Sequence, residues 1–466
     1  MTVTMDIEIE LKLLATPSAQ QDISSWLMQS AINYTDSAGK QLRNDYFETP
    51  QRTLRKHDIG LRIRGCNGEF EQTIKTKGRV VAGMHHRPEY NVPIASPDLQ
   101  LTLFDPRIWP ESVSIVMLEK ELYLMFSTDF FRDTFLLTLT DGSQIELVID
   151  IGSVSAGGRN LDICEVELEL KSGSAGAIFY IAKQLADITP LRFGLQSKAA
   201  RGYRLADNLQ QEHYQAPENF TVNAGLSIIQ NALSGLEQAF AVWQQGEAAF
   251  YQSQSIDDWR TMTAGMRLVQ GSLDLYQAQF ASSLGQEISS LSEQVAHLLH
   301  QQQEVDLYIQ ALNLTESSFL ADAPQASVLK AELVRLVASS DLLTKLNELL
   351  TDRQYMQLQL SIGALLVEGV NAHITDDSDL KSFVHRTLRH LDSHSENECN
   401  KLAVCKVLWL ELKLPKLLDC PVAPWSVLRQ EDQTSLSAGL IALLQQGELA
   451  LTPEISEKVR IWCTKI

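Results

Sequence analysis

Between residues 6 and 171, apolar and polar positions alternate with a period of two in one segment after another. DIEIELKL (6–13) places Ile7, Ile9, Leu11 and Leu13 on one face and Glu8, Glu10 and Lys12 on the other. The same alternation predicts strands over GLRIRG (60–65), EFEQTIKTKG (69–78), RPEYNV (87–92), DFFRDTFLLTL (129–139), SQIELVIDIG (143–152) and ICEVELELK (163–171). Asn67-Gly68 and Asp141-Gly142 stand where hairpin turns need φ > 0. Helical periods interrupt the strands at Ala19–Ala31 and at Ala175–Ile188, the second entered from Ser172-Gly173-Ser174. The first 205 residues therefore read as a predominantly antiparallel β domain.

From about residue 218 the period changes to i, i+3, i+4. It does so in GLSIIQNALSGLEQAFAVW (225–243), SLDLYQAQFASSL (272–284), VLKAELVRLVA (328–338), TKLNELL (344–350), KSFVHRTLRHLDSH (381–394) and KLAVCKVLWLEL (401–412). This predicts an all-helical bundle. The expected fold class is α+β multidomain: a β domain over 1–207, a linker at 208–219 (NLQQEHYQAPEN) and a helical domain over 220–466.

Composition narrows the classes. The net charge of −19 is unfavourable for nucleic-acid binding, which demands a basic surface. Residues 1–210 hold 22 Lys+Arg against 27 Asp+Glu, so the acidic excess sits in the helical half. No stretch approaches 18 consecutive apolar residues, so no membrane span is expected. The N-terminus lacks the basic start and apolar run of a signal peptide. The six cysteines are scattered without a C-x-x-C pair, as reduced thiols in a cytoplasmic protein would be.

The polar faces of the strands carry both signs of charge. Arg62 and Arg64 share a face, as do Thr73, Lys75 and Lys77; Arg87, Glu89 and Asn91; Glu146 and Asp150; and Glu165, Glu167, Glu169 and Lys171. A half-solvated sheet would explain any one of these strands. Mixed charge on most of them, with cations paired at i, i+2, points instead to a closed barrel with a polar interior. Such an interior would suit a phosphate chain accompanied by a divalent cation, which carboxylates and phosphates hold together.

The segments E-x-E-x-K (Glu8, Glu10, Lys12), DYFETP (45–50), GLRIR (60–64), TIKTKG (73–78), RPEYN (87–91), Arg132, Glu146/Asp150, EVELE (165–169) and SKAARGY (197–203) follow one another in this order. Together they resemble the CYTH, or triphosphate tunnel metalloenzyme, superfamily over residues 5–206. With the helical half, the chain looks like the bacterial two-domain CYTH–CHAD inorganic triphosphatases, more than thiamine triphosphatases or class IV adenylyl cyclases. The resemblance implies an eight-stranded antiparallel tunnel that hydrolyses tripolyphosphate to diphosphate and phosphate with Mg²⁺ or Mn²⁺. It assigns metal binding to Glu8, Glu10, Glu165 and Glu167, with Asp150 as an additional ligand. Lys12, Arg62, Arg64, Lys75, Arg87, Arg132 and Lys198 would grip phosphates, and Glu8, Glu10, Lys12 and Glu167 would form the catalytic centre. Lys77, Glu89, Glu169 and Arg201 are further members. Relatives often carry a basic residue where this chain has Phe130, a contact that Lys198 could supply.

In the helical half, WRTMTAGMRLVQGSLDLY (259–276) keeps Arg267 of a CHAD-like helix but has Arg260, Leu268 and Gln270 where histidine or basic residues are expected. The segment near 401–412 is similarly poor in base. Polyphosphate binding by so acidic a half is not expected. His390 and His394, one turn apart, have no third ligand on a matched motif, and His85-His86 read as a loop rim.

Overall fold

The computed structural model describes residues 4–209, 226–276, 282–301 and 342–368, with short helical pieces within 327–335 and 452–458. Most of the expected linker lies outside the described residues, as do His390, His394 and the segment 401–412. By Cα proximity the chain divides into two compact units, Met1–Glu212 with Thr351–Gly369, and His213–Leu350 with Val370–Ile466.

The first unit is built on ten strands: β1 (Thr4–Ala15), β2 (Asn33–Glu48), β3 (Gly60–Cys66), β4 (Glu69–Lys75), β5 (Arg79–Val81), β6 (Met84–Ile94), β7 (Tyr123–Thr138), β8 (Gln144–Ala156), β9 (Arg159–Ser172) and β10 (Leu191–Phe193). They lie in the order β10-β1-β9-β8-β7-β2-β3-β4-β6-β5, and a further β1–β6 pairing closes the ring. All pairings are antiparallel. The closed part is an eight-stranded antiparallel barrel, with β10 and β5 as short additions on β1 and β6.

Closure decides which way the alternating faces point. The apolar faces turn outward and are covered by helices, so the hydrophobic core surrounds the barrel instead of filling it. The covering helices include α1 (Ala19–Gln29), α2 (Thr53–Lys56), α3 (Ile115–Glu121) and α4 (Gly176–Ala186). Leu61, Ile74 and Val92 of the barrel wall pack with Leu54 of α2, Leu118 of α3, and Phe104 and Trp109 of the intervening turns. Leu11, Leu13, Leu147, Val166 and Leu168 are likewise fully buried. Full burial of such side chains contributes about 1.5–3 kcal/mol each.

The inward rows are polar over most of their length but end in an apolar plug. Leu42, Phe126, Phe130, Val154, Ala156 and Ile163 cluster there with Tyr203 of α5 (Lys198–Asp207). Gly202 lets α5 approach closely: a Cβ at this position would fall 2.1 Å from the Phe126 ring. That ring cannot easily yield, because it stacks on Tyr46 at 4.5 Å between centroids. Gly202→Ala should therefore displace α5 and cost about 1–3 kcal/mol, the usual penalty of overpacking. Denaturant melts would show it; an unchanged midpoint would refute this packing.

The region between residues 351 and 369 belongs to the barrel unit. Two further helices are α9 (Leu342–Thr351) and α10 (Arg353–Glu368). In the barrel unit α10 packs on α4: Gln357 donates to the Lys183 carbonyl at 2.7 Å, and Arg353 pairs with Asp187 at 2.6 Å. Gly363 lies against the Phe179 ring.

In the second unit α6 (Ile228–Ser253) begins in a capping box between Ser227 and Gln230 and is followed by α7 (Ile256–Tyr276) and α8 (Ser282–Gln301). Phe250 of α6 packs edge-on against the fully buried Trp259 of α7. Three strands escape the alternation rule. β2 begins with the polar run NYTDSAGKQ, while β5 and β10 are three residues long. No helix among the described residues is long and apolar enough to cross a membrane.

Candidate active site

The strand registers place the charged rows side by side inside the barrel. Across β1–β6, Glu8 stands opposite Arg87 and Glu10 opposite His85. Across β1–β9, Lys12 is opposite Glu167 and Glu10 opposite Glu169. Asp150 of β8 faces Glu165 on one side and Arg132 on the other. Together these rows enclose a cavity of about 270 Å³. Eight cationic and six carboxylate side chains line it, with Asp150 and Glu165 directly behind.

Two ionic clusters result. In the first, Lys75 bonds Glu8 at 2.5 Å and Glu89 at 2.9 Å, and Arg62 bonds Glu89 at 3.2 Å. In the second, Lys12 bonds Glu10 and Glu167 at 2.6 Å each. Arg132 holds Asp150 through both Nε (2.7 Å) and Nη2 (2.6 Å), and reaches Glu167 at 2.9 Å. Lys198, carried in from α5, contacts Asp150 (2.6 Å), Glu165 and Glu167 (3.1 Å), and Arg201 pairs with Glu165. Buried charges persist only when paired in this way.

The charges perturb one another. Burial pushes the Glu10 carboxyl up to about 7, with Lys12 opposing and Glu167 and Glu8 adding to the rise. Burial also works against Glu167, but Lys12, Lys198 and Arg132 outweigh it and hold it well below the usual carboxylate range. Burial would lower Lys12 and Lys198, but the carboxylates around them raise both.

Glu89 resists burial because Lys75 and Arg62 bring it down to about 2 from an ordinary 4.5. A lowered folded-state pKa contributes stability that is present above pH 4.5 and lost as the pH falls toward 2, here on the order of 3 kcal/mol. Urea midpoints measured from pH 6 to pH 3 should fall less steeply in Glu89→Gln than in the wild type. Equal slopes would contradict the assignment.

Two guanidinium groups stand apart. Arg64 donates to Asn44 Oδ1 at 2.9 Å, and burial, reinforced by Arg62 and Arg132, brings its pKa down to about 10. Arg87 donates to backbone carbonyls of Thr76 (2.6 Å), Asp58 and Lys75 (3.3 Å each). Neither has a carboxylate within ion-pair distance among the described residues, so both present charge to an anion entering the cavity.

Of the residues singled out in the sequence, Glu8, Glu10, Lys12, Arg62, Arg64, Lys75, Arg87, Arg132, Glu167 and Lys198 line the cavity, and Asp150 and Glu165 lie immediately behind it. Glu89 and Glu169 line it as well, but Lys77 does not: β4 ends at Lys75, and Lys77 is exposed outside. Asp150, Glu165 and Glu167 bring one oxygen each within 4.8 Å of one another. This all-oxygen donor set suits a hard divalent cation. Lys198 Nζ, which contacts all three carboxylates, marks the place as one that accepts positive charge.

Phe130, where a basic residue was expected, is 1% exposed; Lys198 Nζ lies 5.0 Å and Arg132 Cζ 5.5 Å from its ring centroid.

Sequence reasoning missed Asn44 and Tyr46, because β2 was not recognised over most of its length, and gave His85 only a rim role. His85 lines the cavity with Nε2 buried and without a hydrogen-bond partner. Burial, with Lys12 and Arg87, lowers its pKa to about 4.

The DYFETP and SKAARGY segments prove to be linked. The Glu48 carboxylate accepts from the amides of Thr49, Leu54 and Arg55 and from the Tyr203 hydroxyl. Arg52 pairs with Asp207. These contacts fix α5, and with it Lys198 and Arg201, against the barrel.

Residues 6–203 match the CYTH domain. Over 198 residues the chain is 36% identical to an inorganic triphosphatase of Haemophilus influenzae, a match covering 42% of this chain and 54% of that protein. The match thus spans about half the length of this curated relative. Among solved structures, a Hippeastrum protein described as having a dominant triphosphatase activity aligns at 20% identity and a TM-score of 0.33, covering 42% of this chain and 95% of that one. The PH1819 protein of Pyrococcus horikoshii aligns at 18% identity and a TM-score of 0.27, covering 42% and 97%. The stretch that matches the CYTH domain, residues 6–203, coincides with the charged barrel described above.

Proposed function

We propose that the barrel hydrolyses inorganic tripolyphosphate to diphosphate and phosphate with the help of Mg²⁺ or Mn²⁺. The observation that carries this reading is the charge balance of the lumen. Cations and carboxylates are matched there, eight of each counting Asp150 and Glu165. A polyanion entering alone would leave its charge unbalanced in a buried space. A polyanion entering with divalent cations would not. The similarity to the Haemophilus influenzae inorganic triphosphatase over the barrel supports the same substrate class.

In this reading Glu8, Glu10, Asp150, Glu165 and Glu167 would hold the metal. A bound divalent cation supplies charge neutralisation on the phosphates and acidity to a coordinated water. The chain's own residues do the rest. Arg64 and Arg87 receive phosphate oxygens first, since no carboxylate competes for them. Lys12, Arg62, Lys75, Arg132 and Lys198 then exchange carboxylate partners for phosphate oxygens, keeping every buried charge paired. Fixed around the transferring phosphoryl group, they stabilise its developing charge at no cost of reorientation during the step. Buried walls of the barrel limit water around the reacting chain.

Phosphate release from tripolyphosphate, ATP and thiamine triphosphate, each with Mg²⁺, Mn²⁺ or EDTA, tests the proposal. Turnover of tripolyphosphate that EDTA abolishes is expected. Preference for ATP or thiamine triphosphate would place the substrate among organic triphosphates. Binding without release from any of them would make the barrel a phosphate-binding module.

A further inference from the structure

A second cavity of about 420 Å³ opens beside the first, and its electrostatics are different. It shares Gly60, His85, Arg87, Ser197 and Ala199 with the lumen, so the two spaces adjoin. Its other charged lining residues are Arg55, Lys77, Arg79 and Asp58. With Arg87, that gives four cationic side chains against a single carboxylate, Asp58, which pairs with Lys77 at 3.9 Å. The lumen balances its charges; this vestibule does not.

Part of the vestibule is held in place. Arg55 lies over the buried Tyr203 ring, its Cζ 4.8 Å from the centroid, and its own amide is bonded to Glu48. Arg87 is tethered by three backbone carbonyls. The N-terminus of the ten-residue helix α5, capped by Ser197, adds its positive end to the same wall. Lys77 and Arg79 are exposed and complete the basic side. An uncompensated positive cavity attracts a bare anion, whereas the balanced lumen calls for an anion with its metal.

We propose that this vestibule is a second phosphate site, taking diphosphate and other short oligophosphate anions in the absence of divalent cation. Anions held there stand at the lumen's edge, where Arg87 belongs to both spaces. The proposal extends the reading of the barrel as a phosphate enzyme, but its test needs no turnover. Failure to hydrolyse tripolyphosphate would therefore leave the binding result standing, and failure to bind would leave the hydrolase reading standing.

The test is calorimetric titration of the full-length chain with inorganic diphosphate in EDTA. The wild type should bind, and affinity should fall as salt is raised. Lys77→Glu/Arg79→Glu, which reverses two exposed charges without touching the core, should weaken binding by about tenfold or more. Arg64→Ala, which alters only the lumen, should change it by less than about twofold. Absence of binding by the wild type in EDTA would overturn the proposal. So would undiminished binding by the double variant, or a loss in Arg64→Ala equal to or greater than that in the double variant.

Discussion

Glu8→Gln should abolish turnover of tripolyphosphate, lowering the rate by on the order of 10³ or more, while leaving the fold in place. Glu8 has one ionic partner in the lumen, Lys75, and Lys75 keeps Glu89 at 2.9 Å when that partner is neutralised. The amide fills the same space, so the stability change should stay within about 1 kcal/mol. The variant therefore separates catalysis from folding better than Glu167→Gln would. Glu167 is bonded by Lys12, Arg132 and Lys198 together, and neutralising it would leave three buried cations short of charge. The checks are phosphate release and a thermal melt on the same preparation. Retained activity with full dependence on added metal would remove Glu8 from the metal-binding set.

Arg64→Lys should lower turnover by about 10²–10³, although the charge is retained. Arg64 donates through Nε to Asn44 Oδ1, and Asn44 is itself fixed by donating to Thr128 Oγ1 at 2.9 Å. This anchoring holds the guanidinium plane and leaves its terminal nitrogens free to take two oxygens of one phosphate. A lysine ammonium has no such fork and cannot keep the Asn44 contact while reaching the substrate. The same loss from Asn44→Leu, with a raised KM, would show that the anchor matters as well as the charge. Wild-type kinetics in Arg64→Lys would mean that Arg64 does not grip phosphate.

The barrel was legible in the sequence because its alternation is unusual in kind. DIEIELKL, GLRIR and EVELE pair an apolar face with fixed charges of both signs, and closure turns those charges inward and the apolar faces toward the covering helices. The period of two fixes which residues share a face, so ten of the twelve candidate residues line one cavity, with Asp150 and Glu165 behind it. Partners were not legible. Whether Lys75 meets Glu8 or a ligand depends on register, and register is set by pairings between strands distant in the chain. Lys77 shares the parity of Lys75 but falls beyond the last residue of β4, where parity ceases to determine direction. β2 escaped because its first half presents no apolar row to bury. The contribution of α10 to the barrel unit had no signal either: its helical period says that it packs, not upon what.

The most direct measurement is a crystal structure grown with Mn²⁺ and tripolyphosphate, with anomalous scattering recorded for the metal. The manganese peak should fall inside the barrel among the carboxylates of Glu8, Glu10, Asp150, Glu165 and Glu167, with phosphate oxygens on Arg64 and Arg87. A manganese peak and a triphosphate found only outside the ring of eight strands, with the lumen's ion pairs intact, would contradict the account.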